Sequence, residues 1–311
     1  MAIYEDLDVF AGKTIKPFKA DDATLSAEYA IRVSVDYEDA EDGVTLLSEV
    51  EKLINAPFAK ELTHLIIGEW EECYEDTPED AIAKLSQSAD ALPALQYVFF
   101  GEMTSEACEM SWIQQVDYKD FLANFPNLVH FQVRGGTGLL ISNLEHDNLE
   151  TLIIETGGME KELVAQVAES SLPSLKHLEL WLGEENYGWT GSIEQLESIT
   201  QKYAPQLNYL GLKNSEESDE IAQMLQKNQD SWSKLSELDL SMGTLGDVGA
   251  EALLSCAALD QLQKLNLAHH YMSDETMVRF SSYKTLDVNI SEQEETDEYD
   301  GEEYRYISVG E

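Results

Sequence analysis

The stretch LSELDLSMGTLGDVGAEALL, residues 235–254, decides the fold. In its first part, after Leu235, the apolar residues Leu238 and Leu240 alternate with polar ones, and this alternation predicts a short β-strand. Its second part spaces apolar and small residues at helical intervals, and Asp247 suits the N-cap of a helix. The stretch therefore predicts a strand followed by a helix whose small residues allow close packing.

The strand half of this stretch returns along the chain as a leucine, two residues, a second leucine, one residue and an apolar residue. The copies begin at positions 62, 95, 128, 149, 175, 207, 235, 262 and 283, and read LTHLII, LQYVFF, LVHFQV, LETLII, LKHLEL, LNYLGL, LSELDL, LQKLNL and YKTLDV. Leucine-rich repeats have periods of about 20–29 residues. The central apolar residues, from Leu65 to Leu286, recur at intervals that fit this class with a few enlarged turns.

The repeat predicts an α/β leucine-rich-repeat solenoid, a horseshoe with a parallel concave sheet of about ten strands and helices on its convex side. The tenth strand is AIRVSV, with Val33 in the position that corresponds to Leu65. We divide the chain into an N-terminal cap (1–29), the solenoid (30–290) and an acidic C-terminal tail (291–311).

Helical spacing between the strands predicts helices over 44–54, 78–91, 161–170, 216–227 and 245–254. The two shortest intervals between central residues, 131–152 and 265–286, leave room for a loop or a single turn. The charge run from residue 291 predicts a solvated segment. Alternation in the closing YRYISVGE indicates a strand that docks back on the solenoid.

Composition limits the class of partner and the compartment. The 61 acidic residues against 19 basic ones give a net charge of −42, which repels nucleic acid and anionic membranes. No stretch approaches the roughly 18 apolar residues of a membrane span, and the first residues do not form a signal peptide. The three cysteines are far apart in sequence and fit neither a disulfide framework nor a zinc pair, so they indicate reduced thiols in a cytoplasmic protein.

Several motifs together resemble an uncharacterised bacterial family of leucine-rich-repeat proteins with repeats of the ribonuclease-inhibitor type. They are SWIQQVD, VRGGTGL, ETGGM, LWLGEENYG, LGLKNS, SMGTLGDVGAEALL and YRYISVGE. The resemblance covers nearly the whole chain and implies the solenoid fold and a non-enzymatic scaffold. The resemblance further implies that the gene lies near genes for radical-SAM-type and ATP-grasp-type enzymes. It supplies no catalytic residues.

Strand alternation predicts which side chains line the concave face, since neighbours along a strand point to opposite sides. They form columns one before, one after and three after each central residue, and aromatic residues and histidines gather there. Exposed aromatic groups on a rigid surface indicate a binding site. The predicted partner-binding residues are His130, Gln132, Arg134, His177, Glu179, Trp181, Tyr209 and Lys213. We count Phe99, Trp181 and Tyr209 as exposed aromatics, and expect Lys213 to stack on Trp181 and remain free for a partner.

Other readings of these residues stay open. Arg134 beside Glu155 and Glu237 beside Lys264 could be ordinary ion pairs between strands. The glycines after Arg134 are read as turn residues, because no helix follows them to complete a phosphate site. The tandem His269 and His270 point apart and do not suggest a metal site.

The function expected from the sequence is a non-catalytic scaffold that binds a protein or peptide, with a basic or mixed-charge face, on its concave surface. We expect no enzyme activity, no cofactor, no metal, no nucleic acid and no membrane. Two alternatives remain: an accessory subunit or substrate of a radical-SAM/ATP-grasp modifying system, and a small-molecule enzyme that uses the concave histidines.

Overall fold

The computed structural model describes residues 3–299 and 301–310. The strands are β1 (Val9–Phe10), β2 (Lys13–Pro17), β3 (Ala30–Val33), β4 (His64–Ile67), β5 (Tyr97–Phe100), β6 (His130–Arg134), β7 (Thr151–Glu155), β8 (His177–Gly183), β9 (Tyr209–Ser215), β10 (Glu237–Asp239), β11 (Lys264–Asn266), β12 (Asp287–Asn289), β13 (Asp297–Tyr299) and β14 (Glu302–Tyr304). The helices are α1 (Tyr37–Glu41), α2 (Leu46–Ile54), α3 (Glu79–Gln87), α4 (Lys119–Asn124), α5 (Lys161–Glu169), α6 (Ile193–Tyr203), α7 (Ser218–Lys227), α8 (Asp247–Leu254) and α9 (Asp274–Phe280).

The chain forms two compact units. The N-terminal unit contains residues up to 154 together with 169–174, and the C-terminal unit contains residues 155–168 and 175–310. In the N-terminal unit β2 to β6 pair in parallel, each with the next along the chain. In the C-terminal unit β8 to β12 do the same. The α/β class and the stacked strand–helix repeats of a leucine-rich-repeat solenoid are confirmed, whereas the division at residues 29/30 and 290/291 stays a prediction.

The repeated leucines make the core of each unit. The central apolar residues Leu65, Val98 and Phe131 in the N-terminal unit are at most 1% exposed, and Leu178 and Leu210 in the C-terminal unit are fully buried. One repeat cannot bury these side chains alone, so each repeat depends on its neighbour for a dry core. None of the helices in the described residues is both long and apolar enough to cross a membrane.

Two predicted registers are wrong by two residues. Ile31, and not Val33, pairs with Leu65, and Val288, and not Leu286, pairs with Leu265. A shift of two residues keeps every side chain on the same face of the sheet, so alternation alone cannot distinguish the two registers.

The loop predicted between the last two repeats is also wrong. That segment holds α9, whose N-cap Ser273 accepts a hydrogen bond from the Thr276 backbone N–H. The true interval runs from Leu265 to Val288, so it is longer than the predicted register allowed. By contrast, the described residues between β6 and β7 contain no helix, as the other short interval predicted.

Asp247 is the first residue of α8 and not its N-cap, which is Gly246. The capping carboxylate comes from Asp219 on α7, whose Oδ1 accepts from the Gly246 N–H at 2.8 Å and the Gly249 N–H at 2.9 Å. A Cβ on Gly249 would lie 2.6 Å from that oxygen, so the close approach requires glycine. The cap of one repeat is thus supplied by the repeat before it, which couples their stabilities.

The N-terminal hairpin of β1 and β2 covers side chains of the N-terminal strands. Phe10 contacts the rings of Phe99 at 6.1 Å and His130 at 5.1 Å. Phe99 is fully buried, so its predicted exposure is wrong. The cover comes from a segment far away in sequence, and strand alternation carries no information about it.

The C-terminal segment docks back onto the C-terminal unit as predicted, but residues 305–310 do not form the predicted strand. The Asn214 side-chain amide donates to the Val309 carbonyl, and the Val309 N–H donates to Asn214 Oδ1 at 3.0 Å. The Ser308 N–H donates to the Met242 carbonyl at 2.8 Å. Within the run expected to be solvated, β13 and β14 form an antiparallel hairpin.

Candidate interaction surface

Five of the predicted binding residues meet on β8 and β9. The strand register pairs His177 with Tyr209 and Trp181 with Lys213, while Glu179 lies opposite Gly211. Because glycine has no side chain, the Glu179 carboxylate can extend across β9 toward its neighbours. The column arrangement derived from alternation is confirmed at these two strands.

The Glu179 carboxylate is the centre of this group. Its Oε1 accepts hydrogen bonds from Trp181 Nε1 at 2.7 Å and from Lys213 Nζ at 3.0 Å. Its Oε2 accepts from the Tyr209 hydroxyl at 3.0 Å. His177 Nε2 lies 3.6 Å from Oε2, slightly beyond hydrogen-bond length.

Electrostatics hold this group in one ionisation state. Burial disfavours the Glu179 carboxylate, but the His177 ring, the Lys213 charge and the Trp181 indole together outweigh burial and lower its pKa to about 2. Burial disfavours the Lys213 ammonium, yet the Glu179 and Asp239 carboxylates raise its pKa. Burial and the same two carboxylates raise the pKa of Tyr209. At neutral pH the pair is therefore an ionised salt bridge beside a neutral phenol.

Two details of the predicted patch are wrong. Trp181 is 9% exposed, so it is a buried residue and not an exposed aromatic. Lys213 does stack on the indole, with Nζ 4.8 Å from the ring centroid, but it is not free, because its ammonium is paired with Glu179. The stacked pair of His177 and Tyr209, with ring centroids 3.9 Å apart, remains half-exposed.

The network continues along the sheet beyond the residues predicted from sequence. The Tyr209 hydroxyl also lies 3.1 Å from Asp239 Oδ2, which accepts from Asn266 Nδ2 at 2.9 Å. Asn289 Nδ2 donates in turn to Asn266 Oδ1 at 2.9 Å. Asp239 and Asn266 each follow a central leucine by one position, as Gly211 does, so the predicted column one after each central residue includes them. Their place in that column was the sequence signal that they belong to this group. We use the name open strand face for a set of side chains on β8 to β12. They are His177, Glu179, Tyr209, Glu237, Asp239, Lys264, Asn266, Asp287 and Asn289.

The ion pair expected between Glu237 and Lys264 is present, with Lys264 Nζ 3.8 Å from Glu237 Oε2. The Lys264 side chain is 58% exposed, so solvent screens the pair and it contributes little to stability. Lys264 therefore remains accessible at the surface.

The other three predicted residues lie on β6 in the N-terminal unit. Arg134 is 7% exposed, donates to the Met103 carbonyl at 2.7 Å and stacks on the Phe99 ring. His130 and Gln132 are half-buried, and His130 Nε2 lies 3.2 Å from Gln132 Oε1. Their role in binding stays a prediction.

Two cysteines that are distant in sequence meet in the N-terminal unit. Both Cys73 and Cys108 are buried, and the Cys108 thiol lowers the pKa of Cys73 through a hydrogen bond. Among the described residues no group of three His, Cys, Asp or Glu side chains is arranged to hold a metal ion. His270 Nε2 lies 3.1 Å from the Ile290 carbonyl.

Comparison with known proteins supports the fold and leaves the activity open. A scan against protein-family profiles gives no match, and neither does a search of curated proteins. The chain is similar to a crystal structure of a protein from Bacteroides fragilis, with a TM-score of 0.80 and 27% identity over 90% of this chain and 76% of that chain. An internalin from Listeria monocytogenes aligns with a TM-score of 0.37 and 13% identity over 85% of this chain and 80% of that chain, which is too low to carry an argument.

Proposed function

We propose that this protein is a non-catalytic interaction scaffold that binds a protein or peptide through the open strand face of its C-terminal unit. The observation that carries the proposal is the continuous hydrogen-bonded network from Trp181 through Glu179, Tyr209 and Asp239 to Asn266. Such a network fixes side chains before a partner arrives, so little rotamer entropy is lost on binding.

Covered side chains support this face, and accessible side chains are its expected contacts. Glu179, Trp181 and Lys213 are largely covered and hold the others in place. His177, Tyr209, Glu237 and Lys264 are partly or fully accessible and are the expected contacts. Aromatic residues anchor many interfaces, and carboxylates around them favour a partner with a basic or mixed-charge face.

An enzyme is less well supported, because the three groups at the centre of the network, Glu179, Tyr209 and Lys213, have pKa values shifted away from neutrality. General acid–base catalysis needs a pKa near the working pH. The pKa of Glu179 lies far below neutrality, whereas burial with nearby carboxylates raises that of Tyr209, and the same carboxylates raise that of Lys213 against burial. These groups are therefore suited to a fixed structure and not to proton exchange. We further propose a cytoplasmic location. We also propose no nucleic-acid or membrane partner, because the net charge of −42 repels nucleic acid and anionic membranes.

The test is quantitative affinity capture from the native cell extract with two matched variants. Lys264→Glu reverses a charge on the open strand face, and Lys227→Glu makes the same change at an exposed position of α7. Both variants have the same net charge, so non-specific electrostatic binding changes equally. We expect Lys264→Glu to change the amount of a protein that wild type and Lys227→Glu retain equally. Identical retention by both variants would contradict the proposed face.

A further inference from the structure

Tyr74 and Trp112, in the loops that follow β4 and β5, are aromatic residues left open to solvent in the N-terminal unit. Trp112 is 58% exposed and Tyr74 is 48% exposed, whereas the other four tryptophans are at most 9% exposed. A large apolar ring in water is a cost that folding usually avoids, and tryptophan and tyrosine are the most frequent anchors of protein interfaces. Trp112 and Tyr74 therefore present accessible aromatic rings of the kind that anchor interfaces.

The two loops are held together beneath these rings. Gln114 Nε2 lies 3.2 Å from the Tyr74 carbonyl and 3.4 Å from the Trp112 carbonyl. The Gln114 N–H donates to the Cys73 carbonyl at 2.9 Å. On either side of Trp112, Met110 and Ile113 are buried and anchor the turn. The two aromatic residues are thus presented on a fixed backbone, which lowers the entropy lost on binding.

The two loops are acidic in sequence, although Glu102 is buried and paired with Arg32, which lies outside them. Residues 68–78 contain five acidic residues and residues 101–118 contain four, and these nine are accompanied by no lysine or arginine. Glu72, Glu75 and Glu109 are exposed. The Glu72 carboxylate, with smaller effects of burial and Glu75, raises the pKa of Tyr74, as a negative field at this position requires.

We propose that Tyr74 and Trp112 form a docking surface for a segment of a partner protein that carries arginine. A guanidinium group stacks on an indole or phenol ring and pairs with nearby carboxylates, and these loops expose two such rings together with Glu72, Glu75 and Glu109. The proposal rests on the proposed function in that both need a protein or peptide partner. It uses different residues in the other unit, so each can fail alone.

The probe is a fluorescent synthetic peptide of alternating glycine and arginine, measured by anisotropy at about 0.15 M salt, where long-range attraction to the acidic surface is screened. The matched peptide has citrulline at every arginine, which keeps the shape and removes the charge. Trp112→Ala and Tyr74→Ala leave the net charge of the protein unchanged. Tyr37→Ala is the control, because Tyr37 is 73% exposed in α1 and lies among acidic residues as well.

We expect the arginine peptide to bind wild type and Tyr37→Ala equally, and Trp112→Ala to weaken binding about fivefold, which corresponds to about 1 kcal/mol. Tyr74→Ala should weaken it by a smaller factor, and the citrulline peptide should not bind. Equal affinity for wild type and Trp112→Ala would overturn the surface. Equal binding of both peptides would show an apolar occupant and overturn the arginine specificity. Neither result would touch the comparison of Lys264→Glu with Lys227→Glu.

Discussion

Replacing Glu179 by glutamine should cost about 3 kcal/mol of unfolding free energy at neutral pH. The pKa of Glu179 falls from 4.5 to about 2 on folding, and at about 1.36 kcal/mol per pH unit this difference corresponds to about 3 kcal/mol. The Glu179 side chain is 13% exposed, so solvent screening reduces the figure only modestly. The loss arises because the variant leaves the Lys213 ammonium covered without its counter-charge.

The pH dependence gives this prediction a sign. A carboxyl whose pKa is lowered by folding stabilises the protein above about pH 4.5, and the stabilisation disappears as the pH falls toward about 2. The difference between wild type and Glu179→Gln should therefore shrink as the pH is lowered from 7 toward 3. Urea unfolding at both pH values measures it.

Glu220→Gln is the matched control, since it removes the same charge at an exposed position of α7. Its effect should be within about 0.5 kcal/mol at both pH values. The reasoning would be refuted if Glu179→Gln cost no more than Glu220→Gln at pH 7, or if its cost did not fall on acidification.

Three further outcomes follow from packing and hydrogen bonds. Asn214→Ala removes both hydrogen bonds to Val309. It should speed amide hydrogen exchange of the C-terminal segment, measured by mass spectrometry, and lower the free energy of unfolding by about 1–3 kcal/mol. Unchanged exchange would contradict the docking. Asp219→Ala removes the cap of α8 and should cost about 1 kcal/mol in urea, and no loss would refute the capping role. Phe10→Ala should cost about 3–5 kcal/mol in the same assay, because it opens the cover over Phe99, and a cost below about 1 kcal/mol would show that the hairpin adds little.

The regular part of the fold could be predicted because repetition itself carries the information. Leu65, Val98 and Phe131 recur in one phrase, and the structure buries all three at the same level of the stack. The two errors of register, at Val33 and Leu286, involve shifts of two residues, which alternation cannot detect.

Five of the eight predicted site residues lie together on β8 and β9, but the sequence did not reveal how they interact. Alternation placed His177, Glu179 and Trp181 on one face, but it could not show that Glu179 accepts hydrogen bonds from both Trp181 and Lys213. Those contacts depend on side-chain length and on the open space above Gly211. Because of these contacts, the charge of the Lys213 ammonium is neutralised within the protein.

Features made by contacts between distant segments left no sequence signal. Phe10, in the N-terminal hairpin, packs on Phe99 of β5, and Asp219 of α7 caps the following helix, α8. Trp112 lies in a turn without periodicity, so no pattern marked it as exposed. In each case the neighbour is chosen by the folded chain and not by local sequence.

We propose above all that the open strand face of the C-terminal unit contacts a protein partner. The most direct measurement is photo-cross-linking in the native cell, with a photoreactive phenylalanine derivative placed at position 264 in one variant and at position 227 in another. We expect a cross-linked partner from position 264 and none from position 227. Cross-links from position 227 alone, or from neither position, would contradict it.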